Sequence, residues 1–432
     1  MTRARNVTQA GDQTPLRRYR TIIGQGIWVF VGQAVSAIFL LAGTRLITQF
    51  VNPELYGAVN LVQNALVLLR TLFCSPTLNA GLRYYPDAER GGYRPAFRRF
   101  LSGELGRALV VMEILAIVGG IIWSLAAGVH LSVVLVLVVL VGADVARTLE
   151  MTLFNAARRQ RPAAILSAVE NLARPLLVVG GVLFLGKSVE VILGAIAASV
   201  LITLALLYVA VKPVGSSDEI ALPRHLAAEM RQYAIPLIPI ALLNWITSVS
   251  DRYIIASLSH DAVSLGVYAA GYGLISQPFL VINAIIALTL RPAYFSAVAR
   301  NDEAHAKRVF GAWLAITASI CGIATLAIYF ARVFLVEGFL GPQYRGAIEY
   351  VPWIALGYLF YVVEQVLEQP LLAHKRTFSV LVAQVCGAVA SLVVTIPLVI
   401  HIGAVGAAYA CPVYFLIQAL VAATLVRRRN AS

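Results

Sequence analysis

Residues Thr44 to Gly57 read TRLITQFVNPELYG: a basic residue near the end of an apolar run, an Asn-Pro-Glu turn, then a Tyr-Gly that opens the next apolar run. Asn52-Pro53 breaks a helix arriving from the N-terminal side, because proline lacks an N–H and its ring clashes with the preceding turn, yet proline suits the first turn of a new helix. The stretch therefore reads as a tight hairpin between two long helices, with Arg45 at its lip. Composition says what those helices cross. Of 432 residues, 59% are hydrophobic and only 13% charged, and the mean hydropathy is +0.81, against roughly 25% charged in an average soluble domain. The chain belongs in a membrane.

A hydrocarbon core of roughly 30 Å needs about 20 apolar residues per helix. Twelve such runs can be placed, at about 21–42, 57–80, 106–128, 131–152, 163–186, 189–211, 234–257, 266–290, 309–331, 349–372, 378–400 and 403–425. Met1 to Arg20 is polar and Arg-rich and the first apolar run is long for a signal peptide, so the first run is expected to stay as an anchor. The longest connections, 81–105 and 212–233, are too short for a soluble domain.

The net charge of +13 is explained by topology before it is explained by nucleic acid. With the N-terminus inside, 26 of the 34 lysines and arginines fall on inner segments. Five fall outside (Arg45, Lys187, Arg252, Arg332, Arg345), and Arg70, Arg107 and Arg174 lie within spans. This bias predicts both termini in the cytoplasm. The connection 81–105, with five arginines among Tyr84, Tyr85 and Tyr93, reads as a surface for anionic inner-leaflet lipid rather than for nucleic acid. Cys74, Cys321, Cys386 and Cys411 all sit in apolar runs without C-x-x-C spacing, which reads as packing rather than disulfides or zinc.

The hairpin has a second copy. Residues 251–273 read DRYIIASLSHDAVSLGVYAAGYG, and Arg45 matches Arg252 at an offset of 207 while Gly57 matches Gly266 at 209. Arg158-Arg159 matches Lys375-Arg376 at 217. Six runs separate the copies, an even number, so both halves cross the membrane in the same sense and a pseudo-two-fold axis lies along its normal. The expected fold is an all-α polytopic membrane protein of two pseudo-symmetric six-helix lobes. The N-terminal lobe takes residues 1–211, a cytoplasmic linker 212–233, and the C-terminal lobe 234–432.

Gly24-x-Gly26, the Arg45…Asn52-Pro53-Glu54-Leu55-Tyr56-Gly57 hairpin, Arg83-Tyr84-Tyr85, Asp251-Arg252-Tyr253 and Gly266-Val267-Tyr268 together resemble the polysaccharide-transport (Wzx-type) flippases. These belong to the multidrug/oligosaccharidyl-lipid/polysaccharide exporter superfamily. The resemblance implies two lobes with alternating access, and translocation of an undecaprenyl-diphosphate-linked oligosaccharide across the bacterial inner membrane for surface polysaccharide assembly.

An ionisable group within a bilayer is costly and is expected to face protein or water. Arg70 stands inside the second run with no acid at helical spacing, which leaves two readings: a cavity cation for a diphosphate, or a tie to an acid on another helix. Arg45 and Arg252 are either lip anchors or matched cavity cations. Arg174, four residues after Glu170, pairs with it or joins the cavity set, and Asp144, Arg147 and Glu150 stand at i,i+3 spacing. Glu364 and Glu368 share a helix face, which leaves two readings: two like charges at low dielectric suit a proton or sodium relay, or Glu368 is interfacial and Glu364 pairs with an arginine on another helix. Glu113, alone in the third run, is the further relay candidate.

Enzyme readings find little support. There is no G-x-S-x-G and no P-loop, and the six histidines have no ligand spacing, so neither metal nor cofactor is expected. A polytopic glycosyltransferase or polymerase would need a sizeable outer loop carrying acids, while a cation-coupled drug or metabolite antiporter would need an acidic cavity without Arg70. The expected partners are the lipid-linked glycan, the bilayer and a polysaccharide polymerase machinery.

Overall fold

The computed structural model describes residues 38–210 except 129, and 221–431 except 260 and 375, together with Val35. Every regular element among them is helical. In chain order they are α1 (Ile38–Phe50), α2 (Pro53–Phe73), α3 (Ser75–Arg90), α4 (Arg94–Ala127), α5 (Ser132–Ala156), α6 (Gln160–Leu185) and α7 (Val189–Ala210). After the linker come α8 (Arg224–Ala234), α9 (Leu237–Leu258), α10 (Ala262–Ala299), α11 (Glu303–Phe339), α12 (Ala347–Ala373), α13 (Thr377–Ile402) and α14 (Ala404–Ala431). Eleven of the described helices are long and apolar enough to cross a bilayer, so the chain is a multi-pass membrane protein. The first expected run lies mostly outside the described residues, as does the Gly24-x-Gly26 motif; its visible end is α1.

The hairpin forms as its residues require. Asn52 is extended (φ −73°, ψ 158°) and Pro53 occupies the first turn of α2, where its missing N–H has no partner to lose. In the second copy, the Asp261 carboxylate caps α10 by accepting from Val263 N (3.0 Å) and Ser264 N (3.2 Å). The Ser264 hydroxyl, followed by these amides, favours the ionised carboxylate and holds Asp261 below its ordinary pKa.

Two expected connections are helical instead. The second run does not continue to residue 80: it breaks at Cys74, where Pro76 in the first turn of α3 cannot extend the ladder of α2. α3 and the start of α4 then fill 81–105, and α4, at 34 residues, is about 50 Å long and must project beyond a 30 Å core. The linker also contains structure. α8 buries Leu226 and Met230, sets Tyr233 edge-on to Tyr84, and ties Arg231 to Glu104 at 2.7 Å. The Arg83 guanidinium lies 4.5 Å from the Tyr233 ring. The helix is thereby docked on the same lobe as α3 and α4.

The two lobes have separate cores. One extends from Val51 to Met230 and is built on α2 to α8; the other extends from Ile254 to Phe415 and is built on α9 to α14. α1 and α2 stand between them, since Leu41, Tyr56 and Leu61 pack on the second core while Ile47, Phe50 and Tyr56 pack on the first. All four cysteines are free thiols, with Cys74, Cys321 and Cys411 buried in packing contacts.

Candidate functional site: the seam between the lobes and its charged groups

The lobes are joined at the hairpin end. Arg45 Nη1 donates to the Glu337 carbonyl (2.9 Å), Gly341 N to Thr48 Oγ1 (2.9 Å) and the Tyr344 hydroxyl to the Val51 carbonyl (2.9 Å). Deeper along α2, the Tyr253 hydroxyl donates to the Leu61 carbonyl (2.8 Å) and Trp245 Nε1 to the Asn64 carbonyl (3.1 Å). At 1.5 Å per residue from Pro53, Leu61 and Asn64 stand about 12 and 17 Å in, so the seam occupies the hairpin half of the bilayer.

Past the seam, three helices of the N-terminal lobe bring five charges into one chain. Arg70 Nη1 of α2 meets Asp144 Oδ2 of α5 at 2.9 Å, and Arg147 joins the other Asp144 oxygen at 2.7 Å. Arg147 also meets Glu170 of α6 at 3.2 Å, and Glu170 accepts from Arg174 at 2.6 Å. Three guanidiniums share two carboxylates, which leaves one positive charge in excess, and Arg147 Nε and Arg174 Nε have no hydrogen-bond partner. The Arg70, Asp144 and Arg174 side chains are 27%, 23% and 32% exposed. Ionisable groups at membrane depth are expected to face the bundle interior or a water-filled cavity rather than lipid. By helical rise the chain lies about 16–25 Å from the hairpin end, beyond the seam.

This geometry decides several residues. Arg70 is tied to an acid on another helix, the second of its two readings, with its side chain 27% exposed. Arg174 belongs to the same chain. Arg45 and Arg252 do not join it. Arg45 clasps the opposite lobe, and Arg252 is buried in the C-terminal lobe instead of lying at a lip. There the Arg252 guanidinium meets Asp251 (3.1 Å) and the Ser248 carbonyl (3.0 Å), and lies 4.0 Å from the Tyr272 ring. Asp251 also accepts from the Tyr268 hydroxyl at 2.5 Å. Arg147, assigned to an inner segment by sequence, lies inside α5 because two acids hold it there.

In the C-terminal lobe Glu364 and Glu368 are both buried on α12. Their partners are amides: Gln418 and Gln365 donate to Glu364 (3.1 Å each), and Gln384 donates to Glu368 (2.8 Å). The pair forms no salt bridge among the described residues. Glu113 of α4 packs near Gly142 of α5, and its Oε2 has no partner. Sequence reading missed Gln384 and Gln418; an amide inside an apolar run of α13 or α14 was the available signal. It noted Asp144, Arg147 and Glu170 only as local pairs, because spacing along one helix shows nothing of contacts between helices.

The family model described as polysaccharide biosynthesis protein matches residues 22–298. No curated protein sequence matches the chain. Among solved structures, the lipid II flippase MurJ in an inward closed conformation superposes with a TM-score of 0.70 at 14% identity, covering 94% of this chain and 87% of that one. An inward-facing multidrug resistance MATE family transporter of the MOP superfamily gives 0.71 at 12% identity, covering 93% and 94%. A MOP superfamily transporter from Pyrococcus furiosus Vc1, described as having a binding pocket of reversed polarity, gives 0.62 at 14% identity, covering 95% and 96%. At these identities the likeness is one of fold.

Proposed function

The chain belongs to the polysaccharide biosynthesis protein family, and from that premise we propose that it is a flippase for an undecaprenyl-diphosphate-linked oligosaccharide in the bacterial inner membrane, with both termini cytoplasmic. The observation that carries this reading is the chain Arg70–Asp144–Arg147–Glu170–Arg174, a cation-rich, partly exposed network at membrane depth. A guanidinium binds phosphate oxygens in pairs, and the Arg70 and Arg174 side chains of this network are partly exposed. In the proposed cycle the headgroup enters from the side opposite the hairpins while the polyprenyl tail stays in lipid. The lobes, 1–211 and 234–432 about the linker 212–233, then rock about the seam, which opens to release the headgroup. The fold's likeness to MurJ, a lipid II flippase, supports a lipid-linked substrate.

A second reading keeps the fold and changes the cargo. The buried acid pair Glu364 and Glu368 and the likeness to a multidrug transporter favour a cation-coupled drug or metabolite antiporter.

Deletion of the gene separates the two. A flippase mutant accumulates lipid-linked oligosaccharide on the cytoplasmic leaflet and loses surface polysaccharide. Normal lipid-linked pools with increased sensitivity to cationic drugs would reject the flippase and support the antiporter.

A further inference from the structure

A groove of about 760 Å³ lies between α11 and α12 near the hairpin end, away from the charge chain and the acid pair. From Gly346 to Leu356 it runs about 15 Å, the depth of one leaflet. Its inner end is apolar, with Leu326 and Leu356, and its flank carries Tyr329 and Trp353, aromatics of the kind that settle at a headgroup boundary. Leu326, Tyr329 and Trp353 are 61%, 49% and 41% exposed, so the groove opens on the surface that faces lipid.

Its rim carries both signs of charge. Arg345 meets Glu337 at 3.2 Å. Arg332 donates to the Tyr329 carbonyl (2.8 Å) and lies 4.7 Å from the Tyr329 ring, but has no carboxylate partner among the described residues. Glu349 lines the same groove and has no cationic partner among the described residues, nor does it pair with Arg332. An anion alone would leave Glu349 unmatched, and a cation alone would leave Arg332 unmatched. We propose that this groove holds a phospholipid with a phosphoethanolamine headgroup: its phosphate meets Arg332, its primary ammonium donates to Glu349, and an acyl chain lies against Leu326 and Leu356. A quaternary ammonium has no N–H to give the carboxylate, and a glycerol headgroup has no positive charge for it.

Native mass spectrometry of the full chain released from detergent, with equal amounts of phosphatidylethanolamine, phosphatidylcholine and phosphatidylglycerol, tests this. The expected result is preferential retention of phosphatidylethanolamine. Arg332→Gln should weaken that retention roughly tenfold, the scale of one charge-assisted hydrogen bond. Glu349→Gln should erase the preference over phosphatidylcholine while leaving phospholipid bound. Equal retention of the three lipids, a preference for phosphatidylglycerol, or unchanged preference in both variants would overturn the proposal. So would equal binding of soluble phosphoethanolamine, which would make the acyl chain irrelevant. A variant that fails to fold is replaced by Arg332→Lys, which keeps the charge and should keep the preference.

Discussion

Gly57 of α2 and Gly266 of α10, which hold matching positions in the two halves of the chain, lie directly against each other. A methyl group on Gly57 would stand 3.0 Å from Gly266 N, and one on Gly266 would overlap the Pro53 carbonyl oxygen. Elements related by a two-fold axis touch their own counterparts only where they approach that axis, so this pair marks the axis at the hairpin end. The close approach requires glycine at 266, where a Cβ would overlap the Pro53 backbone, and leaves a Cβ at 57 tight against Gly266.

The contact can be wedged. Gly266→Ala, and Gly341→Ala, whose methyl would overlap the Thr48 carbonyl, should pry the hairpin end apart and favour the state open on that side. Spin labels at Gln49 and Gln343 report the distance between the lobes. A new longer-distance population is expected in either variant, and an unaltered distribution in both would show that the seam is not the gate.

Orientation follows from the basic residues. Cysteines placed at Arg94 and His225 should react only from the cytoplasm, and cysteines at Asn52 and Gln343 only from the opposite side. Labelling of Asn52 from the cytoplasmic face would invert the proposed topology.

The charge chain separates transport from folding. Glu170 is buried and neutralises two arginines, so Glu170→Gln should cost about 3–5 kcal/mol, the range for breaking a buried pair, and lower the amount of folded protein. Arg70 is more exposed and meets one acid. Arg70→Ala should leave protein in the membrane but abolish transport, and Arg70→Lys should keep part of it. Folded yield and flipping in reconstituted vesicles are the two readings. Equal loss of yield in Arg70→Ala and Glu170→Gln would make Arg70 a structural tie only.

The features readable in the sequence were those set by local chemistry. Pro53 starts α2, apolar length marks the spans, and the repeated Arg…Gly pattern marks the two lobes. The helices in the connection 81–105 were not legible from hydropathy because its arginines lower hydropathy without lowering helix propensity, so α3 and the start of α4 remain helical outside an apolar run. The fates of Arg252 and Arg70 depended on contacts that hydropathy does not carry. Asp251 is adjacent in sequence, but Tyr272 and Tyr268 reach the Asp251–Arg252 pair only through the packing of α10 on α9. Asp144 meets Arg70 only across helices, through the long arginine side chain reaching from α2 to α5.

Glu364 and Glu368 are the residues on which the proposed energy coupling would turn. Flipping a lipid-linked sugar that is consumed on the far side needs no external work, so passive facilitation is the simplest mechanism. Against it stands a buried pair of acids on one face of α12, partnered by Gln365, Gln384 and Gln418 rather than by a base. Two adjacent carboxyls at membrane depth do not readily hold two negative charges, and a proton or a sodium ion between them relieves the repulsion. Alternation between occupied and empty forms would give α12 to α14 a packing change tied to the gradient. Glu364→Gln keeps the shape and one of the two accepted amide bonds while removing one ionisable site, and the other glutamine must turn its amide oxygen toward the new NH2. The expected outcome is headgroup binding preserved and flipping made independent of an imposed pH or sodium gradient, measured in vesicles with each gradient set separately. Gradient dependence that survives in the Glu364→Gln, Glu368→Gln double variant would remove the pair from the mechanism. Glu113, with its unpartnered carboxylate oxygen between α4 and α5, would then be the next group to substitute.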